Sequence, residues 1–260
     1  MTFHDLHHAD TPLVLPNAWD VGSAIAFLDA GFEAIGTTSF GVSATTGRPD
    51  GDRASQSATV ALVDALQGLP VYVTADVEDG YADDPDVVSD FVAGLRVAGI
   101  NIEDSREGAL IPPEQHAAKI AAIKSRTPET FVNARIDNYW FGQDATPTAV
   151  LERAATYIEA GADGVFIPFV PGALAPDDLA GIAAELSVPL NVLVAPDLTL
   201  SELARLGVRR ISTGSLPYRA AVDAGVAVAT AVRADELPAP ATPYPVAQER
   251  LERYAPLLTS

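Results

Sequence analysis

The sequence predicts a (β/α)8 barrel, and three observations carry that expectation. Short apolar runs alternate with amphipathic helical stretches eight times along the chain, and strand–helix alternation implies a parallel sheet. The 260 residues match the size of one closed eight-unit barrel. No G-x-G-x-x-G follows the first strand, which argues against an open dinucleotide-binding sheet.

The predicted elements follow in order. Leu13 to Asn17 is the first apolar strand, and Asp20 to Ala30 its helix, closed by Gly31. A glycine just past a helix accepts the left-handed conformation that ends it, and Gly99, Gly161 and Gly207 repeat the device. Glu33 to Ser39 is the second strand, followed by a Gly/Thr/Asp-rich loop to Asp52 and a helix to about Leu66. Val71 to Val77, rich in β-branched and aromatic residues, is the third strand. It runs into Glu78 and Asp79. Side chains alternate across a strand, so Asp76 and Glu78 are expected on one face. A helix covers Pro85 to Ala98. Ile100 to Glu103 is the fourth strand and Pro113 to Lys124 its helix. Phe131 to Ile136 and Thr146 to Ala160 form the fifth pair, Gly164 to Phe169 and Pro176 to Leu186 the sixth. Leu190 to Val194 precedes a short helix, Leu200 to Leu206. Arg210 to Gly214 is the eighth strand, with a helix from Pro217 to about Arg233. The barrel domain is thus 1–236. Residues 237–260 form a Pro/Ala linker and a helical arm, with Val246, Leu251, Tyr254, Leu257 and Leu258 as its apolar positions.

Composition narrows the function. The formal net charge of -19 disfavours nucleic acid and anionic membrane as partners. There is no cysteine, so disulfides, thiolate metal sites and a cysteine nucleophile are excluded. The N-terminus lacks the apolar core of a signal peptide, and no apolar run reaches membrane-spanning length. A soluble, cytoplasmic protein is expected. The only lysines, Lys119 and Lys124, fall in a predicted helix, which argues against a Schiff base at a strand end. His4, His7 and His8 read as a frayed terminus, and His116 as a solvated helix residue.

In a barrel the chemistry gathers at the C-terminal ends of the strands. Those ends supply Asp20, Asp50, Asp76, Glu78, Glu103, Asp104, Arg135 and Asp137. Asp20, Asp79 and Asp104 read first as helix caps or N-terminal charges. Asp50, Asp76, Glu78 and Glu103 are expected to converge on one mouth. Four carboxylates in a partly dry site require a cation, and an all-oxygen donor set suits Mg2+ or Mn2+. Arg135 is the lone cation on an inner strand face. It either pairs with an acid of the cluster or binds a substrate carboxylate through two parallel hydrogen bonds. Thr37 to Gly41 leaves the second strand with hydroxyls, backbone N–H groups and a glycine, a setting that suits a carboxylate or oxyanion.

Taken together, Pro16-Asn17-Ala18-Trp19-Asp20, Gly47-Arg48-Pro49-Asp50-Gly51, Asp76-Val77-Glu78-Asp79-Gly80-Tyr81, Gly99 to Asp104, and Asn133-Ala134-Arg135 resemble the isocitrate lyase/phosphoenolpyruvate mutase superfamily. The resemblance implies that Asp76 ligates Mg2+ directly and that Asp50, Glu78 and Glu103 hold its waters. It implies substrate contacts from Arg135, from the backbone at Ser39 and Phe40, and from the Trp19, Asp20 and Asn133 motifs, with Arg135, Glu103 and Asp50 as catalytic groups. The implied substrates are small 2-oxo, 2-hydroxy or phosphono acids, whose C–C or P–C bonds are cleaved or formed through a pyruvate-type enolate held on the metal. Family members exchange C-terminal helices between subunits, so a homodimer or homotetramer is expected.

The departures matter as much. Lyases of the family carry a Lys-Arg-Cys-Gly-His-type loop after the fourth strand. Here that loop is Ser105-Arg106-Glu107-Gly108-Ala109-Leu110, without Cys or Lys. The sixth strand ends Ile167-Pro168-Phe169, where several members have histidine. The reading is therefore a metal-dependent lyase or phosphonomutase-like enzyme. Two alternatives stay open: an oxaloacetate-type hydrolase or decarboxylase, and a catalytically weak metabolite-binding barrel.

Overall fold

The computed structural model describes residues 1–169 and 172–258; the last two residues of the predicted arm lie outside the described residues. Its parallel sheet comprises β1 (Leu13–Leu15), β2 (Asn17–Ala18), β3 (Ala34–Thr37), β4 (Tyr72–Asp76) and β5 (Gly99–Glu103). After a separate antiparallel hairpin, β6 (Ser105–Arg106) and β7 (Ala109–Leu110), it continues with β8 (Phe131–Arg135), β9 (Gly164–Ile167), β10 (Leu190–Leu193) and β11 (Arg210–Ser212). The order is β1-β11-β10-β9-β8-β5-β4-β3-β2. Pro16 has no N–H to donate to a ladder, and it splits the first barrel strand. One piece, β1, pairs with β11 and the other, β2, with β3. Eight strand positions therefore close a barrel.

The helices are α1 (Val21–Asp29), α2 (Ser39–Thr45), α3 (Gln56–Leu66), α4 (Pro85–Leu95), α5 (Pro113–Arg126), α6 (Asn138–Phe141), α7 (Pro147–Glu159), α8 (Pro176–Glu185), α9 (Leu200–Arg205), α10 (Leu216–Arg233) and α11 (Tyr244–Tyr254). The main core lies between the sheet and α3 to α9, and holds Val77, Ile100, Ile102, Ile120, Val132, Ile136 and Tyr157 fully buried. Among the described residues, no helix is long and apolar enough to cross a membrane.

Several expectations need correction. The loop after the second strand contains α2, because Thr38 accepts the Gly41 N–H and starts a helix in a stretch without strong helix formers. The third strand stops at Asp76. Glu78 then takes a left-handed backbone, φ 48°, so chain reversal, and not strand alternation, brings it beside Asp76. His7 is buried, stacked on Phe131 at 4.0 Å, and Phe3 and Leu6 join Phe131 and Leu15 in a plug beneath the barrel. His116 is also fully buried, edge-on to Tyr157. Lys119 is buried and donates to the Asp79 carbonyl at 2.7 Å.

The C-terminal arm folds onto its own barrel. Arg250 and Arg253 of α11 pair with Asp29 of α1 at 3.0 and 2.7 Å, and Tyr254 and Leu258 pack against the apolar cluster that holds Ile25 and Leu66. Val246 and Leu251 of α11 nonetheless stay 50% and 45% exposed, and α10 stands bare as well. None of its eighteen residues is buried, and Val226 and Val232 are 61% and 63% exposed.

Candidate active site

A cavity of ≈ 1140 Å³ opens at the C-terminal ends of the strands. Asp50, Asp76, Glu78, Glu103 and Arg135 all line it, as do Phe40 and Asn101. Trp19, Asp20, Ser39 and Asn133 do not. Asp20 caps α1 through the Ser23 N–H at 2.7 Å, and Trp19 meets Tyr218 edge-on. Asn133 lies deeper in the barrel, donating to Asn101 and Asn191 at 2.9 Å each. Ser39 stands behind the rim and reaches the site through its N–H, which donates to Asp76 Oδ2 at 3.2 Å.

The four acids are held differently. Glu78 is buried and takes three donors: the Arg53 N–H donates to Oε2 at 2.7 Å, and the Ser55 N–H and hydroxyl donate to Oε1 at 3.1 and 2.6 Å. Glu103 pairs with Arg135 Nη1 at 2.8 Å. Burial drives the Glu103 carboxyl up and Arg135 pulls against it, with Asp137, Asp76 and Glu78 adding to the rise. Asp50 sits at the rim. Partial desolvation there, then the charge of Asp76, raises its carboxyl above the ordinary range, while the Ser39 hydroxyl opposes the shift. The Asp76 carboxylate accepts one hydrogen bond among the described residues, from the Ser39 N–H to Oδ2, which leaves Oδ1 without a donor among them.

Arg135 bridges two acids, with Nη1 on Glu103 and Nε on Asp137 at 2.7 Å. Trp140 and Phe166 flank its plane at 5.7 and 5.9 Å. Burial alone would lower the guanidinium; Asp137 and Glu103 more than reverse that and keep it charged. Of the two roles open to Arg135, pairing with the acids is therefore observed. Its Nη2 has no acceptor among the described residues and keeps capacity for a ligand.

Asp79 and Asp104 are not caps. Asp79 receives Arg53 through two nitrogens and Lys119 besides. Asp104 receives Arg153 and Tyr157 at 2.8 Å each and the Asp137 N–H at 2.9 Å. These two buried acids brace the turn that carries Glu78 and the end of β5 that carries Glu103.

The sequence reading missed four features. Arg210, fully buried on the barrel floor, donates to Asn101 at 3.0 Å; burial lowers its pKa to about 9, and Asp76 opposes that. Arg219 and Ser215 line the cavity from the last barrel unit, and Trp140 and Phe141 line it from α6. Turn chemistry at Glu107-Gly108 could have revealed the hairpin, since both residues take positive φ. Nothing local marks the other three.

The fit to a metal can be tested on this geometry. Among the described residues, no three His, Asp or Glu side chains form a ready metal-binding group. With Glu78 taking three donors and Glu103 ion-paired, Asp76 and Asp50 keep the most free acceptor capacity. Mg2+ commonly takes one or two carboxylates and retains its waters, so the donor set fits a hydrated hard cation and not a closed protein cage.

The sequence profile of phosphoenolpyruvate phosphomutase matches residues 3–233, the whole barrel with every acid described above. The chain belongs to that family. An uncharacterised protein of Mycobacterium tuberculosis (strain ATCC 25618 / H37Rv) is 53% identical over 254 residues, covering 98% of this chain and 97% of the relative. The 2-methylisocitrate lyase of Bacillus subtilis (strain 168) is 30% identical over 201 residues, 72% of this chain and 64% of that enzyme. In fold, the chain resembles phosphonopyruvate hydrolase in complex with oxalate and Mg2+, with TM-score 0.80 and 24% identity over 99% of this chain and 98% of that one. Within the isocitrate lyase/phosphoenolpyruvate mutase superfamily, relatives act on oxo and phosphono acids as lyases, mutases, hydrolases and decarboxylases.

Proposed function

We propose that this protein is a Mg2+- or Mn2+-dependent enzyme that makes or breaks a C–C or P–C bond in a small 2-oxo or phosphono carboxylic acid. The observation that carries the reading is the convergence of Asp50, Asp76 and Glu103 with Arg135 on one cavity. Asp76 would hold the ion directly, and Asp50, Glu78 and Glu103 its waters. A bound divalent ion polarises oxo and carboxylate oxygens and stabilises charge developing beside them. Arg135 would turn Nη2 to the substrate carboxylate, held in place by Glu103, Asp137 and its two aromatic neighbours. Ser39 and Phe40 open α2, where first-turn N–H groups lack intrahelical acceptors, and this supports an oxygen-binding role for that backbone.

A decarboxylase or hydrolase of oxaloacetate-like acids is the second reading. It is favoured by the hairpin after β5, which offers no thiol and leaves the cavity open to water. A Pseudomonas entomophila oxaloacetate decarboxylase is 32% identical over 166 residues. A barrel that binds the metabolite without turnover is the third. Assaying a panel of 2-oxo acids with Mg2+, beside binding alone, separates the three. The metal claim is tested by calorimetric titration of Mg2+ and Mn2+ into wild type and Asp76→Ala. Binding is expected to vanish in the variant, and unchanged affinity would remove the basis of the reading.

For assembly we propose a homodimer or a dimer of dimers, in which a second copy covers the bare face of α10.

A further inference from the structure

The mouth of the barrel is chemically divided, and the division follows strand order. Among the described residues, the loops after β3, β4 and β5 contribute the acids to the cavity. The next three strands around the barrel, β8, β9 and β10, and the loops after them contribute Trp140, Phe141, Phe166, Pro168 and Leu193. Arg135, at the seam, is the only charged side chain that the described residues of that arc give the lining.

Trp140 is 41% and Phe141 38% exposed. Large apolar side chains left open inside a concave site are the usual lining for the apolar part of a ligand. Holding Arg135 explains Trp140 and Phe166, whose rings flank it. It does not explain Phe141, Pro168 or Leu193: the cation–π contacts of the guanidinium are with Trp140 and Phe166, and proline and leucine side chains offer it no acceptor. The cavity volume of ≈ 1140 Å³ also exceeds what an acid of three or four carbons would fill.

We propose that the substrate is a 2-oxo acid whose far end is an apolar group, alkyl or aryl, rather than a second carboxylate or a phosphonate. The oxo-acid end would lie with Asp76 and Arg135, and the apolar end against Phe141, Pro168 and Leu193. This rests on the reading proposed above for the acid end. A second anionic group on the β8–β10 side would meet mostly aromatic faces and aliphatic carbon, with no side-chain donor among the described residues beyond Arg135 and the Trp140 indole N–H, and would lose most of its hydration uncompensated.

The test is calorimetric titration of the full-length, Mg2+-loaded protein with pyruvate, 2-oxobutanoate, 4-methyl-2-oxopentanoate and phenylpyruvate, with oxaloacetate as the dianionic control. Each buried methylene strengthens binding by about fourfold, so affinity should climb at least about tenfold from pyruvate to 4-methyl-2-oxopentanoate. Phe141→Ser and Leu193→Ser should flatten that climb to within about threefold. Mg2+-dependent binding in which pyruvate or oxaloacetate equals or exceeds the longer acids would overturn the inference and leave the acid-end reading standing. Absence of Mg2+-dependent binding across the series, or equal binding by Asp76→Ala, would instead overturn both.

Discussion

Arg135 shows what a single residue must satisfy at this site. It neutralises two partly or fully buried carboxylates, and its guanidinium carbon lies within 5.7 and 5.9 Å of the Trp140 and Phe166 rings. A lysine carries the charge but not the planar fork. Arg135→Lys is therefore expected to fold, yet to lose a charge-assisted hydrogen bond worth about 1.5–3 kcal/mol, roughly ten- to a hundred-fold in affinity for a 2-oxo acid or in rate. A Lys variant with full activity would reduce Arg135 to a structural partner of the acids. His116 makes a different residue-scale prediction. Burial, then Lys119 and Arg153, lowers its pKa to about 3. The unfolded chain takes up a proton there near pH 6.5, and the native state does so only near pH 3. His116 thus withdraws stability as pH falls from the first value toward the second. Between about pH 6.5 and pH 5 the loss is about 2 kcal/mol. Urea unfolding at neutral and mildly acid pH should show His116→Leu losing less stability than wild type by that amount. Equal losses would mean that the native imidazole titrates normally.

At the scale of an element, the hairpin β6–β7 separates this chain from the lyases. Ser105 gives its hydroxyl to the buried Asp137, Arg106 pairs with Asp83, and Gln143 ties both Gly108 and Leu110 to the loop after β8. The hairpin is thus pinned at both ends, with Glu107 exposed at its turn. A proton donor over the substrate would have to come from an engaged serine, a guanidinium or an exposed carboxyl, and none suits that role near neutral pH. Neither isocitrate nor 2-methylisocitrate should be cleaved at an appreciable rate. A coupled assay for glyoxylate or pyruvate release checks this, and robust turnover of either acid would show that another group serves as donor.

At the scale of the whole molecule, the bare helix is the dominant feature. Other outer helices bury an apolar stripe against the sheet, while α10 leaves Val222, Val226 and Val232 open to solvent. A surface of that kind on an eighteen-residue helix favours association. Light scattering at micromolar concentration should give at least a dimer mass, and Val226→Glu should lower it. A monomeric wild type would count against the proposed assembly. The arm contributes as well: α11 braces α1 through Asp29 and still leaves Val246 and Leu251 exposed.

The eight strand–helix units were legible in the sequence because they rest on local chemistry. Apolar runs, glycines at helix ends and Pro or Asp at helix starts act within a few residues, and each reports its element without reference to the rest of the chain. The acids at the strand ends were legible for the same reason, since strand order alone carries Asp50, Asp76 and Glu103 to one mouth. The environment of a lone polar residue was not. His116 reads as a solvated helix residue, Asp79 and Asp104 as helix caps, and Lys119 only as a helix residue, yet all four are buried because residues tens of positions away pack over them. Glu78 reaches the site through a left-handed turn that alternation does not predict, and Arg210 lies beneath Asn101 because β11 and β5 close the same barrel. Which face of the mouth is charged and which apolar was likewise decided only by tertiary structure. It depends on which strands stand side by side, and that order exists only once the sheet has closed.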